Sequence, residues 1–223
     1  PAAQAQPWVE ALRAQGIDAV AMPLIGIQPA TDQAALREAW AHLDGAALAM
    51  FVSPNAVTHF FDARPAGCIW PPATRAGSTG PGTTAALVAA GLVEGQIDQP
   101  PAGGPFDTEA LWQRLAAADW RGRRVFIIRG DGGRDWFSQQ LRAAGADVAF
   151  VTAYRRLAPA VDAALVHDAL RDAAGHRWHF SSSEAIDHLV AASPGADWSR
   201  AQAYATHPRI ADSARRHGFG RVT

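Results

Sequence analysis

Apolar runs of strand length alternate with amphipathic, helix-period stretches along nearly all of this 223-residue chain, and that alternation confines it to an α/β fold with mostly parallel sheets. Residues 5–15 read as a helix closed by Gly16 and residues 17–22 as a strand, after which Pro23, Gly26 and Pro29 break regular structure. Thr31 or Asp32 can cap a helix running through Leu43; residues 47–52 form an apolar strand, and Ser53-Pro54 supplies an N-cap followed by proline at the first helical position. A strand near 74–77 leads into the turn Gly80-Pro81-Gly82-Thr83 and a helix over 84–90 stopped by Gly91. Beyond the loop 99–105, Asp107-Thr108-Glu109 opens another helix. Residues 125–128 are the clearest buried strand, and the turn Arg129-Gly130-Asp131-Gly132-Gly133-Arg134 precedes a helix ended by Gly145 and a strand over 147–152.

Residues 153–159 have linker character and mirror the break around residues 23–30. Two such crossings imply two domains. The remainder supplies a helix over 161–174, a strand over 178–180, the turn Ser181-Ser182-Ser183 and a helix over 184–192. It closes with a strand over 202–205, the turn Thr206-His207-Pro208-Arg209, a helix over 210–217 stopped by Gly218, and a short strand over 219–222.

Composition removes whole classes of function. Hydrophobic residues at 48% and charged residues at 18% exclude a disordered, collagenous or membrane protein. A net charge of −1 leaves no basic field for nucleic acid, so any anion site is local. Every basic side chain apart from histidine is arginine; without lysine there is no Schiff base, no pyridoxal-phosphate aldimine and no phosphate loop ending in Gly-Lys-Ser/Thr. Cys68 stands alone, which rules out an intrachain disulfide and suits a reducing cytoplasm; the eight histidines are scattered, so no metal site is expected. No run of 18 apolar residues exists, and no membrane association is expected. The glycines after residue 129 do not follow G-x-G-x-x-G, and Ser53 and Ser182 lack the G-x-S-x-G elbow, which argues against dinucleotide binding and a hydrolase triad. A phosphoaspartate signalling domain is disfavoured by the missing lysine.

In open parallel sheets, the loops after the strand C-termini gather at one edge, where helix N-termini offer unpaired N–H groups to anions. Ser53, Thr83, Arg129 to Arg134, Ser181 to Ser183 and Thr206 all fall in such loops and form a candidate polar rim. Each hydroxyl taken singly is equally an ordinary helix cap.

The ordered strings Val52-Ser53-Pro54-Asn55-Ala56-Val57, Gly80-Pro81-Gly82-Thr83, Asp107-Thr108-Glu109-Ala110-Leu111, Arg129-Gly130-Asp131-Gly132-Gly133-Arg134, Tyr154-Arg155-Arg156, Phe180-Ser181-Ser182-Ser183 and Thr206-His207-Pro208-Arg209-Ile210-Ala211 resemble the uroporphyrinogen-III synthase family. The resemblance implies two flavodoxin-like α/β domains with parallel sheets joined by a two-stranded linker. One is discontinuous (1–26 plus 157–223) and the other inserted (31–152), with linkers at about 23–30 and 153–159 and the active site in the cleft. It also implies a cofactor-independent cyclising lyase of heme biosynthesis: hydroxymethylbilane loses its hydroxyl, its terminal ring is inverted, and the macrocycle closes to uroporphyrinogen III. The implied setting is a cytoplasmic monomer, with the upstream hydroxymethylbilane synthase as a candidate partner. A competing reading is a noncatalytic module binding an anionic tetrapyrrole or sugar phosphate in the same place. Family members open with a strand leading into Thr-Arg-Pro, whereas this chain begins at what resembles that proline, Pro1, and stops soon after Gly220. A missing opening strand and a shortened terminal helix are therefore expected.

Carried over position by position, the resemblance makes Tyr154 the proton donor for loss of hydroxide, against its alternative as a hinge-packing aromatic. Ser53, Asn55, Thr83, Thr84, Ser181, Ser182 and Thr206 become donors to substrate carboxylates or pyrroles, with Arg209 beside the last of these. Arg129 and Arg134 either clamp the substrate's acid side chains or pair with Asp131 and Asp135 to hold their loop. Phe180 is expected in the core.

Overall fold

Strand patterns along the chain find their partners in two separate sheets. The computed structural model describes residues 2–223, with side chains from residue 5 onward, so that Pro1 lies outside the described residues. In chain order the elements are α1 (Ala2–Arg13), β1 (Gly26–Pro29), α2 (Ala34–Ala41), β2 (Ala46–Phe51), α3 (Pro54–Asp62), β3 (Arg75–Ser78), α4 (Pro81–Ala89), β4 (Ile97–Asp98), α5 (Thr108–Leu115), β5 (Arg124–Gly130), α6 (Trp136–Ala143), β6 (Asp147–Leu157), α7 (Ala163–Arg171), β7 (Trp178–Phe180), α8 (Ser183–Ala191), β8 (Gln202–Ala205), α9 (Pro208–Arg216) and β9 (Arg221–Val222). One compact unit is continuous, Gln28–Arg156; the other is assembled from the residues up to Ile27 and Leu157–Thr223.

The continuous unit carries a six-stranded sheet in the order β1-β6-β5-β2-β3-β4, with the pairs β6/β5, β5/β2, β2/β3 and β3/β4 all parallel. Its central strands are apolar on both faces because helices cover both. Leu48, Met50, Val125 and Ile127 pack with Leu111 and Leu115 of α5 and Phe137 and Leu141 of α6. Phe51, by contrast, meets Phe60 of α3, which in turn stacks on Trp40 of α2 at 4.7 Å. The Trp40 indole also donates to the carbonyl of Phe60 at 2.8 Å, so the buried ring leaves no polar atom unpaired. At the sheet's end, Arg75 grips Asp98 with two hydrogen bonds, 2.9 and 2.7 Å, and donates to the carbonyl of Gly95, pinning the two-residue β4.

The discontinuous unit holds the parallel sheet β7-β8-β9. Trp178, Phe180, Ile186, Leu189, Trp198, Ala203, Ile210 and Phe219 form its core together with Leu24 from the early part of the chain. Phe180 is 2% exposed, as expected of a core residue. Among the described residues no helix is long and apolar enough to cross a membrane.

Several expected elements change. Residues 17–22 form no strand: neither sheet supplies a ladder partner, Ile17 and Val20 are more than half exposed, and only Met22 and Leu24 reach the core. The strand expected at 147–152 runs on to Leu157, with the Ala153 carbonyl accepting from the Ala30 N–H at 3.1 Å. The helix expected at 84–90 begins at Pro81, since proline fits the first helical position and Gly80 takes the cap.

Candidate functional site

The connection β2–α3–β3 moves one way across the larger sheet and β5–α6–β6 moves the other, so the carboxyl ends of β2 and β5 flank the point where strand order reverses. That is where open parallel sheets leave a crevice. Ser53 lies just past β2. Its backbone is extended, Pro54 follows at the first helical position, and its Oγ accepts from the Ala56 N–H at 3.2 Å. The same Oγ lies 3.1 Å from the hydroxyl of Tyr154, with either oxygen able to donate. Tyr154 is 5% exposed, and the imidazole of His59, on α3, sits 6.0 Å from its ring, centroid to centroid. A buried phenol thus has its oxygen held by a serine that is anchored to a helix N-terminus. Asn55 is half-buried in the first turn of α3, two residues after Ser53.

The next loop, after β3, is organised by a residue that the sequence reading passes over. Ser78, fully buried at the end of β3, donates to the carbonyl of Gly80 at 2.9 Å and accepts from the Gly80 N–H at 3.2 Å. Thr84 bridges onward, 2.9 Å from Ser78 Oγ and 2.7 Å from Gln99 Oε1. Thr84 is therefore committed to internal hydrogen bonds. Thr83, in the first turn of α4, is 3% exposed.

Arg129, near the end of β5, and Arg134, just past it, are both ion-paired. Arg129 donates to Asp135 at 2.6 Å and lies over the ring of Phe150 at 4.3 Å. Arg134 donates to Glu109 at 2.7 Å, not to Asp131. Asp131 instead accepts from the Arg156 backbone N–H at 3.3 Å, and the Arg156 guanidinium donates to the carbonyl of Gly132 at 3.1 Å. Asp131 is thus spent fastening the loop to β6 and forms no pair with either arginine there. Burial works against the charge of Glu109, but hydrogen bonds from Thr108 and its own backbone, together with Arg134, outweigh it and hold the carboxyl below its usual range.

In the other unit, Ser181 follows β7 and is exposed, and Ser182 occupies the N-cap of α8 without a side-chain capping bond. The Thr206 N–H donates to the carbonyl of Phe180 at 3.2 Å, tying the turns after β8 and β7 together. The Thr206 hydroxyl does not cap α9, since the ring of His207 accepts from the Arg209 N–H at 3.1 Å and fills that place. Arg209 is exposed. Among the described residues no three of His, Cys, Asp and Glu are grouped to hold a metal ion.

Residues 6–223 match the family model described as Uroporphyrinogen-III synthase HemD. The chain belongs to this family. Uroporphyrinogen-III synthase of Salmonella typhimurium is 30% identical over 183 residues, which is 80% of this chain and 68% of that protein. Among solved structures, a mutant uroporphyrinogen III synthase from the extremely thermophilic bacterium Thermus thermophilus superimposes with a TM-score of 0.63 at 18% identity, covering 97% of this chain and 87% of the other. The uroporphyrinogen-III synthetase of Helicobacter pylori gives 0.54 at 12% identity, covering 89% and 83%. These two carry the fold of the uroporphyrinogen-III synthase family across nearly the whole chain. Within it, Ser53 just past β2, Thr83 and Thr84 in the first turn of α4 and Tyr154 in β6 belong to one unit, and Ser181, Ser182 and Thr206, in the turns after β7 and β8, to the other.

Proposed function

We propose that this protein is a uroporphyrinogen-III synthase, closing hydroxymethylbilane to uroporphyrinogen III with inversion of the terminal ring and loss of water. The family match from residue 6 to the last residue carries that conclusion. The substrate leaves its hydroxyl as water, so one proton must arrive at that oxygen and one must leave a pyrrole. Tyr154 is our candidate for the first transfer: its hydroxyl is buried yet held by Ser53 at 3.1 Å, a partner able to take either side of a hydrogen bond. Ser53 and Asn55 at the start of α3, the hydroxyl of Thr83, and Ser181, Ser182 and Thr206 serve as donors to the bilane's carboxylates and pyrroles. Helix N-termini favour such anions without a dense basic patch.

Arg129 and Arg134 enter this reading as fasteners of the loop after β5, because each is already engaged by a carboxylate. Thr84 likewise supports the α4 turn more than the substrate. Since the bilane also closes unaided to the uninverted isomer, the catalyst's main task is to fold it so that the substituted carbon is the one attacked. We take the protein to act as a cytoplasmic monomer supplied by hydroxymethylbilane synthase, without a cofactor. Incubation with hydroxymethylbilane should give mainly the III isomer, and formation of the I isomer alone would overturn the assignment. Tyr154→Phe should slow turnover with the fold intact; wild-type kinetics would remove Tyr154 from the proton transfer.

A further inference from the structure

We infer that Gly130 is a positioning residue for Tyr154, the empty side-chain position that lets the phenol lie across the end of β5; this rests on the role proposed for Tyr154. Gly130 is not among the glycines with positive φ, so its backbone asks for no glycine. What does ask for one is space. A Cβ at this position would stand 2.8 Å from Tyr154 Cε2, 3.0 Å from Cζ and 3.3 Å from the hydroxyl oxygen. Ordinary carbon contacts begin near 3.5 Å, so an alanine would push the far end of the ring away by roughly 1 Å.

The strand register explains how the two residues meet. Along β5 and β6 the partners run Arg129 with Thr152 and then Gly130 with Tyr154, one step on β5 against two on β6. Ala153 is the extra residue of a β-bulge, a device that re-aims the side chain beside it. The bulge sets Tyr154 opposite the residue with no side chain, and its oxygen then reaches Ser53 at 3.1 Å. This contact is already longer than the usual 2.7–2.8 Å for paired hydroxyls, so a further shift of about 1 Å breaks it. Neighbouring groups leave few alternatives: His59 lies on one side of the ring and Ser53 at its tip, and Tyr154 as a whole is buried.

Gly130→Ala tests the assignment in the full-length protein. Turnover should fall by about tenfold to a hundredfold, the cost of misplacing a reacting group by about 1 Å, while KM stays within about twofold. In a Tyr154→Phe background, where no hydroxyl remains to misplace, Gly130→Ala should cost no further turnover. An equal loss in both backgrounds means general distortion and overturns the proposal, as does wild-type turnover of Gly130→Ala. Wild-type turnover of Tyr154→Phe alone sinks the role of Tyr154 instead.

A second readout does not depend on activity. The chain has 2 tyrosines, Tyr154 and Tyr204, so ring-carbon labelling gives two NMR signals, assigned through Tyr204→Phe. Gly130→Ala should move the Tyr154 signal and leave that of Tyr204 in place; an unmoved Tyr154 signal overturns the proposal. If Gly130→Ala fails to fold, adding Tyr154→Leu, which ends short of the clashing ring atoms, should restore a folded protein. No restoration means that Tyr154 is not what Gly130 makes room for.

Discussion

Replacing Ser53 by alanine removes two interactions at once, and the structure says how they separate. The Ala56 N–H loses its cap acceptor, and the Tyr154 hydroxyl loses its partner. A lost serine cap costs about 1 kcal/mol, and a lost hydroxyl pair about 1 kcal/mol more. Tyr154→Phe removes only the second, about 1 kcal/mol. The double variant should therefore cost about 2 kcal/mol and not 3, a coupling of about 1 kcal/mol between two residues 101 positions apart in sequence. Hydrogen exchange suits a two-unit chain better than a melting curve, because it reads each unit separately. The slowest amides of β2 and β5 should exchange about 30-fold faster in Ser53→Ala and about fivefold faster in Tyr154→Phe, at 1.36 kcal/mol per decade. Additive losses in the double variant, or equal losses in the two single variants, would refute the reasoning.

Two further outcomes test the supporting framework. Glu109 is held below its ordinary value of 4.5, so the stability it adds is fully present above that value and is lost as pH falls through the lower, folded one. Glu109→Gln should lower stability at neutral pH by less than about 1 kcal/mol, as befits a half-exposed pair. Acid titration should erase the difference between variant and parent, and a difference that grows in acid contradicts the sign. In the other unit, a Cβ on Gly220 would collide with the Ser199 carbonyl oxygen, so Gly220→Ala should loosen β9 by roughly 1–3 kcal/mol. Exchange in β8 and β9 should rise while β2 and β5 are unaffected; unchanged β9 protection would count against the close approach.

The capping signals were the most legible part of the sequence. Ser53-Pro54 and Asp107 cap the helices that they announce, and β7 and β8 occupy the expected residues, because a cap or a short apolar run is decided by its immediate neighbours. What failed depended on partners distant in the chain. Residues 17–22 have a strand's composition but no neighbouring strand to bond with. The strand expected at 147–152 runs on to Leu157, where the carbonyl of Ala153 is taken by Ala30 from far earlier in the chain. At the site, Ser53 and Tyr154 could each be named, but not their contact. The roles of Ser78, Gln99 and His59 were hidden because none sits in a distinctive motif. His207 replaced Thr206 as a cap since its ring can accept the Arg209 N–H. In the sequence Gly130 is one glycine of a turn, whereas its neighbour across the bulge explains it.

The continuity of Gln28–Arg156 also orders events at the ribosome. That stretch is delivered whole during translation and can close its sheet at once, since domains tend to fold as they emerge. The residues before it cannot: Leu24 belongs to a cluster whose last member, Phe219, is synthesised almost two hundred residues later. The segment holding Leu24 is thus made before the continuous unit yet finds its home after it, and a premature stop soon after Arg156 would strand it.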